Sequence, residues 1–140
     1  MTMDPLLDGR SQELQSRIDR LSEALGVRSM PVGMRTSDGL NIFVDEEGAY
    51  HFAFYERGKL GFDRVGSIDD LCYWYCTEIV TDRAAKQVGD RAERFLLEYQ
   101  VLGQFSPEWA KRNVRETAGL FRKYGKPQDI TLLPDIGETL

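Results

Sequence analysis

Few side chains in this 140-residue sequence are of types that do chemistry, and their spacing narrows what they could do. There is one histidine, His51, and there are two cysteines, Cys72 and Cys76. His51 is the only general base whose ordinary pKa lies near neutrality. A nucleophilic pair of Cys72 with His51 would place both partners inside regular elements, whereas catalytic groups concentrate on loops. The cysteines sit one helical turn apart, so a disulfide between them would close a trivially short loop and constrain almost nothing. Two thiols and one imidazole do not complete a four-ligand site, so no metal is expected. Reduced, buried thiols are the reading that remains, and they agree with a cytoplasmic address.

Glu78 and Asp82 form the next pair. Four residues apart on one helix, they oppose each other by about 0.2–0.5 kcal/mol when exposed, and by more when screened from water. A cation is therefore expected beside them, with Arg57, Arg64 and Arg94 as internal candidates. Otherwise the two make an acidic patch for a basic partner, or a carboxylate pair for acid–base work. The sequence holds no Gly-x-x-x-x-Gly-Lys-Ser/Thr, no Gly-x-Gly-x-x-Gly, no Gly-x-Ser-x-Gly and no His-Glu-x-x-His. What is left of an enzyme reading is a small hydrolase-like activity built on Glu78 and His51.

The element that must position most of these residues is a helix over about 68–86. Ser67-Ile68-Asp69-Asp70 is a capping start, with two carboxylates against the positive end of the helix dipole. Ile68, Leu71, Cys72, Tyr75 and Ile79 recur at steps of three and four, while Tyr73, Trp74, Cys76 and Val80 fall outside that stripe. Apolar around most of its circumference, the helix should lie centrally. Tyr73, opposite Ile68 and Ile79, is the aromatic most expected to reach solvent and so to serve an interface.

Ahead of it, Ser11 should cap a helix using Leu14, Ile18, Leu21 and Leu25 and stopping at Gly26. Pro31 to Arg35 is a weak edge-strand candidate. Leu40–Val44, Ala49–Glu56 and Leu60–Val65 read as strands of an antiparallel meander, joined by Asp45-Glu46-Glu47-Gly48 and by Arg57-Gly58-Lys59. On this reading Leu60 and Phe62 share the core side. Two further helices follow, from Asp90 to a stop at Gly103 and from Ser106-Pro107-Glu108-Trp109 to about Tyr124. The expected fold class is α+β: an N-terminal helix, a meander of three to four strands, then three helices. Residues 1–10 should be a loose lead-in, 11–125 one domain and 126–140 an extended tail.

Hydrophobic content of 41% and charged content of 29% are those of a globular chain. No apolar run approaches the roughly 20 residues that cross a bilayer, and the N-terminus lacks the pattern of a secretory signal. The net charge of −5 disfavours nucleic acid as a partner, leaving one local basic stripe to say otherwise: Lys111, Arg112, Arg115, Arg122 and Lys123. An adaptor that grips nucleic acid through that helix is the remaining alternative. An acidic chain also suits a partner with a basic surface.

Three stretches, in order, resemble the immunity protein 63 family of bacterial polymorphic-toxin systems. They are Tyr50-His51-Phe52 leading into Glu56-Arg57-Gly58, then Asp69-Asp70-Leu71-Cys72-Tyr73-Trp74, then Val101-Leu102-Gly103-Gln104-Phe105-Ser106-Pro107-Glu108-Trp109-Ala110. The resemblance covers about Tyr50 to Lys123, and the cysteines at 72 and 76 depart from its pattern. It implies a small cytoplasmic protein, encoded beside a toxin, that binds the toxin domain and blocks it, with no catalysis and no cofactor. Such a toxin domain could be basic, a nuclease for example. The residues expected to meet it are Glu46, Glu47, Asp69, Asp70, Tyr73, Glu78 and Asp82.

Overall fold

The computed structural model describes residues 8–140. Its elements are α1 (Gly9–Leu25), β1 (Gly39–Val44), β2 (Tyr50–Glu56), β3 (Lys59–Gly66), α2 (Ile68–Gln87), α3 (Arg91–Phe105), α4 (Pro107–Lys123) and a 3-10 helix, Pro127–Leu132. This is the predicted α+β order, with three strands rather than four. The chain divides into two compact units inside α2, the first ending at Tyr75 and the second beginning at Cys76. The lead-in predicted over 1–10 falls outside the described residues as far as residue 7; Gly9 and Arg10 already belong to α1.

In the first unit α1 is capped by Asp8, not Ser11: the Asp8 carboxylate accepts from the Ser11 N–H at 2.8 Å. Asp8 is the stronger cap because its charge also meets the helix dipole. Leu14, Ile18, Ser22 and Leu25 are buried along one face. Ser22 takes the core place predicted for Leu21, with its hydroxyl 2.7 Å from the Ile18 carbonyl and 2.7 Å from the Tyr75 hydroxyl. The predicted strand at Pro31–Arg35 does not form, since Pro31 brings no donor and Gly33 takes φ +90°. That segment lies along the outer edge of β1 instead, where the Gly33 N–H reaches the Ile42 carbonyl at 2.8 Å.

The sheet is antiparallel in the order β1-β2-β3. Asp45 closes the first turn, its carboxylate accepting from the Glu47 and Ala49 N–H groups at 2.9 Å each. The second turn is the pair Arg57-Gly58, both with positive φ (52° and 79°), as a two-residue hairpin requires. Gly61 then has no partner in the register: Leu60 faces Tyr55 and Phe62 faces Phe54. This bulge corrects the predicted pairing of Leu60 with Phe62. One extra residue reverses the parity, so the two side chains leave opposite faces of the sheet, and both are exposed.

α2 starts in a capping box: the Asp70 N–H donates to the Ser67 hydroxyl and the Ser67 N–H to the Asp70 carboxylate, each at 3.0 Å. Its buried residues are Leu71, Cys72, Tyr73 and Tyr75 in the first unit and Cys76, Val80 and Ala84 in the second, an arc wider than half the circumference. Trp74 packs on Phe52 with ring centroids 6.0 Å apart.

In the second unit Asp90 caps α3 and Ser106 caps α4, as predicted. α3 runs through Gly103 to Phe105 rather than stopping there. A Cβ on Gly103 would lie 3.9 Å from that of Ala110, an ordinary van der Waals contact, so α3 passes through this glycine without a steric need for it. On α3 the buried positions are Glu98 and Leu102, while Leu96 is 46% exposed. Residues 127–132 wind into a 3-10 helix instead of extending, with Pro127 pre-set for a first helical turn.

Candidate partner-binding surface

The strand register brings one end of the sheet together. Val44 pairs with Tyr50 and Tyr50 with Gly66, so the Asp45–Ala49 turn and the start of α2 leave the sheet at the same end. Asp45, Glu46, Glu47, Asp69 and Asp70 therefore gather there. Glu46 and Glu47 are exposed, make no ion pair among the described residues and, with Arg35, Val44 and Asp45, line an open cleft of about 470 Å³. Arg10 reaches the same turn: its guanidinium occupies the space a Gly48 side chain would need.

His51 stands behind this turn on the β1–β2–β3 face that carries Phe43 and Val65. Its Nε2 lies 2.7 Å from the Asp45 carboxylate and its Nδ1 3.0 Å from that of Asp63. Phe43 stacks on the imidazole, centroids 4.5 Å apart and 7° from parallel, and the Arg35 guanidinium lies 3.5 Å from the Phe43 centroid. Two planar groups at those distances cannot share one ring face, so Phe43 is sandwiched between Arg35 and His51. Burial opposes the His51 charge, but the hydrogen bonds and charges of Asp45 and Asp63 outweigh it, and the pKa is raised. Asp45 is correspondingly held below the usual carboxylate range by His51 and by the Ala49 and Glu47 N–H groups. With a carboxylate on each nitrogen, the protonated imidazole has no lone pair with which to act as a base. The arrangement is a clamp tying the first turn to β3.

The other residues singled out by type are also accounted for. Cys72 is buried and its thiol is pushed up to about 11, chiefly by desolvation, which leaves little thiolate for nucleophilic chemistry. Among the described residues no group of three or more His, Cys, Asp or Glu could hold a metal ion. Glu78 is exposed with no ion pair among the described residues, and Asp82 pairs with Lys86 at 3.0 Å on its own helix. The cations predicted for them are placed elsewhere: Arg57 in a turn, Arg64 over the Phe62 ring at 5.0 Å and Arg94 over Phe95 at 5.6 Å. Tyr73, predicted to be open to solvent, is 1% exposed. It shares its helix face with Cys76, Val80 and Ala84, three, seven and eleven positions on, and that face is buried.

Two of the five cations of the basic stripe on α4 are paired with carboxylates. Arg115 bridges Glu108 at 2.7 Å and Glu138 at 2.6 Å, and Arg112 meets Glu116 at 3.1 Å. Glu138, from the tail, was not foreseen as its partner. Also unforeseen is Glu98, which is 5% exposed, accepts from Asn113 at 3.4 Å, and is raised in pKa by desolvation. Nothing in the periodicity of α3 marks it, because a lone carboxylate inside an apolar stripe reads as a surface residue.

The feature that the sequence least discloses is β3. It has no buried residue, and Leu60 (55%), Phe62 (38%) and Val65 (53%) join Phe54 (37%) in exposing apolar surface. The Phe54 and Phe62 rings stack at 5.7 Å. Exposed aromatic and aliphatic side chains on one strand, with exposed carboxylates at one end of the same sheet, are the composition of a protein-binding surface, with apolar area for burial and charge for encounter.

No helix among the described residues is long and apolar enough to cross a membrane. No curated protein and no solved structure is significantly similar to this chain. The sequence model of the family described as Immunity protein 63 matches residues 46–119, which begin at the acidic turn and take in β2, β3, α2, α3 and most of α4. That is more than half of the 140 residues, and the chain belongs to the Immunity protein 63 family.

Proposed function

We propose that this chain is a non-catalytic immunity protein that binds a toxin domain of a bacterial polymorphic-toxin system in the cytoplasm and blocks its activity. The observation that carries the reading is the acidic turn between β1 and β2, where the exposed Glu46 and Glu47 make no ion pair among the described residues and line an open cleft; exposed apolar side chains of β3 stand at the far edge of the same sheet. Family membership supplies the class of partner. In this reading Glu46, Glu47, Asp69 and Asp70 attract a basic toxin domain, a nuclease being one such domain, while β3 supplies buried area. Glu78 and Asp82, exposed on α2, form a second acidic patch of the same sign. Tyr73 is no longer among the contacts, because its side chain is inaccessible.

Calorimetry of the purified chain against the toxin domain encoded beside it tests this. A one-to-one complex is expected, and Glu46→Lys with Glu47→Lys should slow association and weaken the complex about tenfold or more at low salt, with a smaller effect at high salt. Unchanged affinity in the double variant would remove the acidic turn from the interface. Absence of any complex with the wild-type chain would overturn the function.

A further inference from the structure

The two edges of the sheet are treated differently. On β1 the outer edge is covered: Gly33 donates to Ile42, and the buried Asn41 side chain exchanges hydrogen bonds with the Thr36 backbone at 2.9 and 3.0 Å. On β3 no outward backbone group has a partner among the described residues.

The register says which groups those are. The Ile42 carbonyl points away from β2, because Gly33 occupies it. Ile42 and its partner Phe52 are thus a non-hydrogen-bonded pair on that side, and alternation turns the Phe52 backbone toward β3. Phe52 then forms a hydrogen-bonded pair with Arg64, whose N–H and C=O face inward. Its neighbours Asp63 and Val65 present theirs outward. The Asp45 N–H bond to the Ala49 carbonyl at the turn gives the same phase.

We propose that the outer edge of β3 receives an extended, basic segment of the toxin domain as a fourth strand, hydrogen-bonded to the Asp63 and Val65 backbones. This rests on the function proposed above and adds the mode of binding. Backbone pairing supplies the affinity in such an addition, and side chains at alternate positions supply the selectivity. Leu60 and Phe62 lie toward the turn end of β3, Val65 toward the acidic end. An added strand would cover this apolar surface and then run past Glu46, Glu47 and Asp69. Of the carboxylates at that end, Glu46 and Glu47 are exposed and make no ion pair among the described residues, and the fitting occupant carries Lys or Arg there.

The test uses the full chain and the toxin domain encoded beside it. Val65→Pro deletes an outward donor at an edge position that tolerates proline, while Val65→Thr keeps it. Val65→Pro is expected to weaken the complex by about tenfold or more and Val65→Thr by less than about threefold. Amide exchange provides a reading that needs no substitution: the Asp63 and Val65 N–H groups should exchange rapidly in the free chain and be protected in the complex, with Arg64 protected in both. A complex that forms with those two amides still unprotected would overturn strand addition and leave the toxin-binding function standing. Protection already present in the free chain, through a second copy or residues 1–7, would overturn it too. No complex at all would overturn both.

Discussion

His51 holds its proton between Asp45 and Asp63, and that proton stabilises the fold. Its pKa is raised above the ordinary 6.5, so the stabilisation is fully present below about pH 6.5 and is lost as pH rises through the folded-state value. Asp45 has the opposite sign: depressed in the folded state, it stabilises above the ordinary carboxylate range and loses that contribution as pH falls. The clamp is therefore strongest in mildly acidic solution. Denaturant titrations of the wild type and His51→Gln should show a stability difference that shrinks from about pH 6 to about pH 9. A difference constant over that range would mean the imidazole contributes packing on Phe43 rather than charge. Glu98, also raised, loses stabilisation as pH rises through its own value, but it is common to both proteins and cancels in the comparison.

At the scale of elements the tightest junction is the passage from β3 into α2. A Cβ on Gly66 would sit 2.6 Å from an Asp70 carboxylate oxygen and 3.0 Å from the Trp74 ring. Asp70 cannot swing aside without opening the capping box, and Trp74 is held against Phe52. Gly66→Ala should therefore cost about 1–3 kcal/mol, read as a lower denaturation midpoint with an unchanged slope. A variant as stable as the wild type would show that the junction has slack. Local signals made most elements legible: the Ser67, Asp90 and Ser106 caps, the Arg57-Gly58 turn and most of the buried stripe of α1. What stayed hidden depends on partners distant in sequence. The Gly61 bulge changes the facing of Leu60 and Phe62 only once β2 is alongside, Glu98 is buried because Asn113 on α4 meets it, and Tyr73 is buried by what lies against its face. In the candidate surface, the acidic turn was legible from its composition. The open edge of β3 was not, since alternation alone suggested a half-buried strand.

For the whole molecule, a net charge of −5 is unevenly used. On α4 Arg112 and Arg115 are tied to Glu108, Glu116 and Glu138, whereas Glu46 and Glu47 make no ion pair among the described residues. Paired cations bring little attraction for phosphate backbones, and unpaired carboxylates favour a cationic partner. The family match begins at this acidic turn. Binding rather than conversion is thus the central claim, and growth is its most direct measure. Bacteria producing the toxin domain encoded beside this chain should stop growing, and co-production of this chain should restore growth. Continued arrest, with both proteins present and folded, would contradict it.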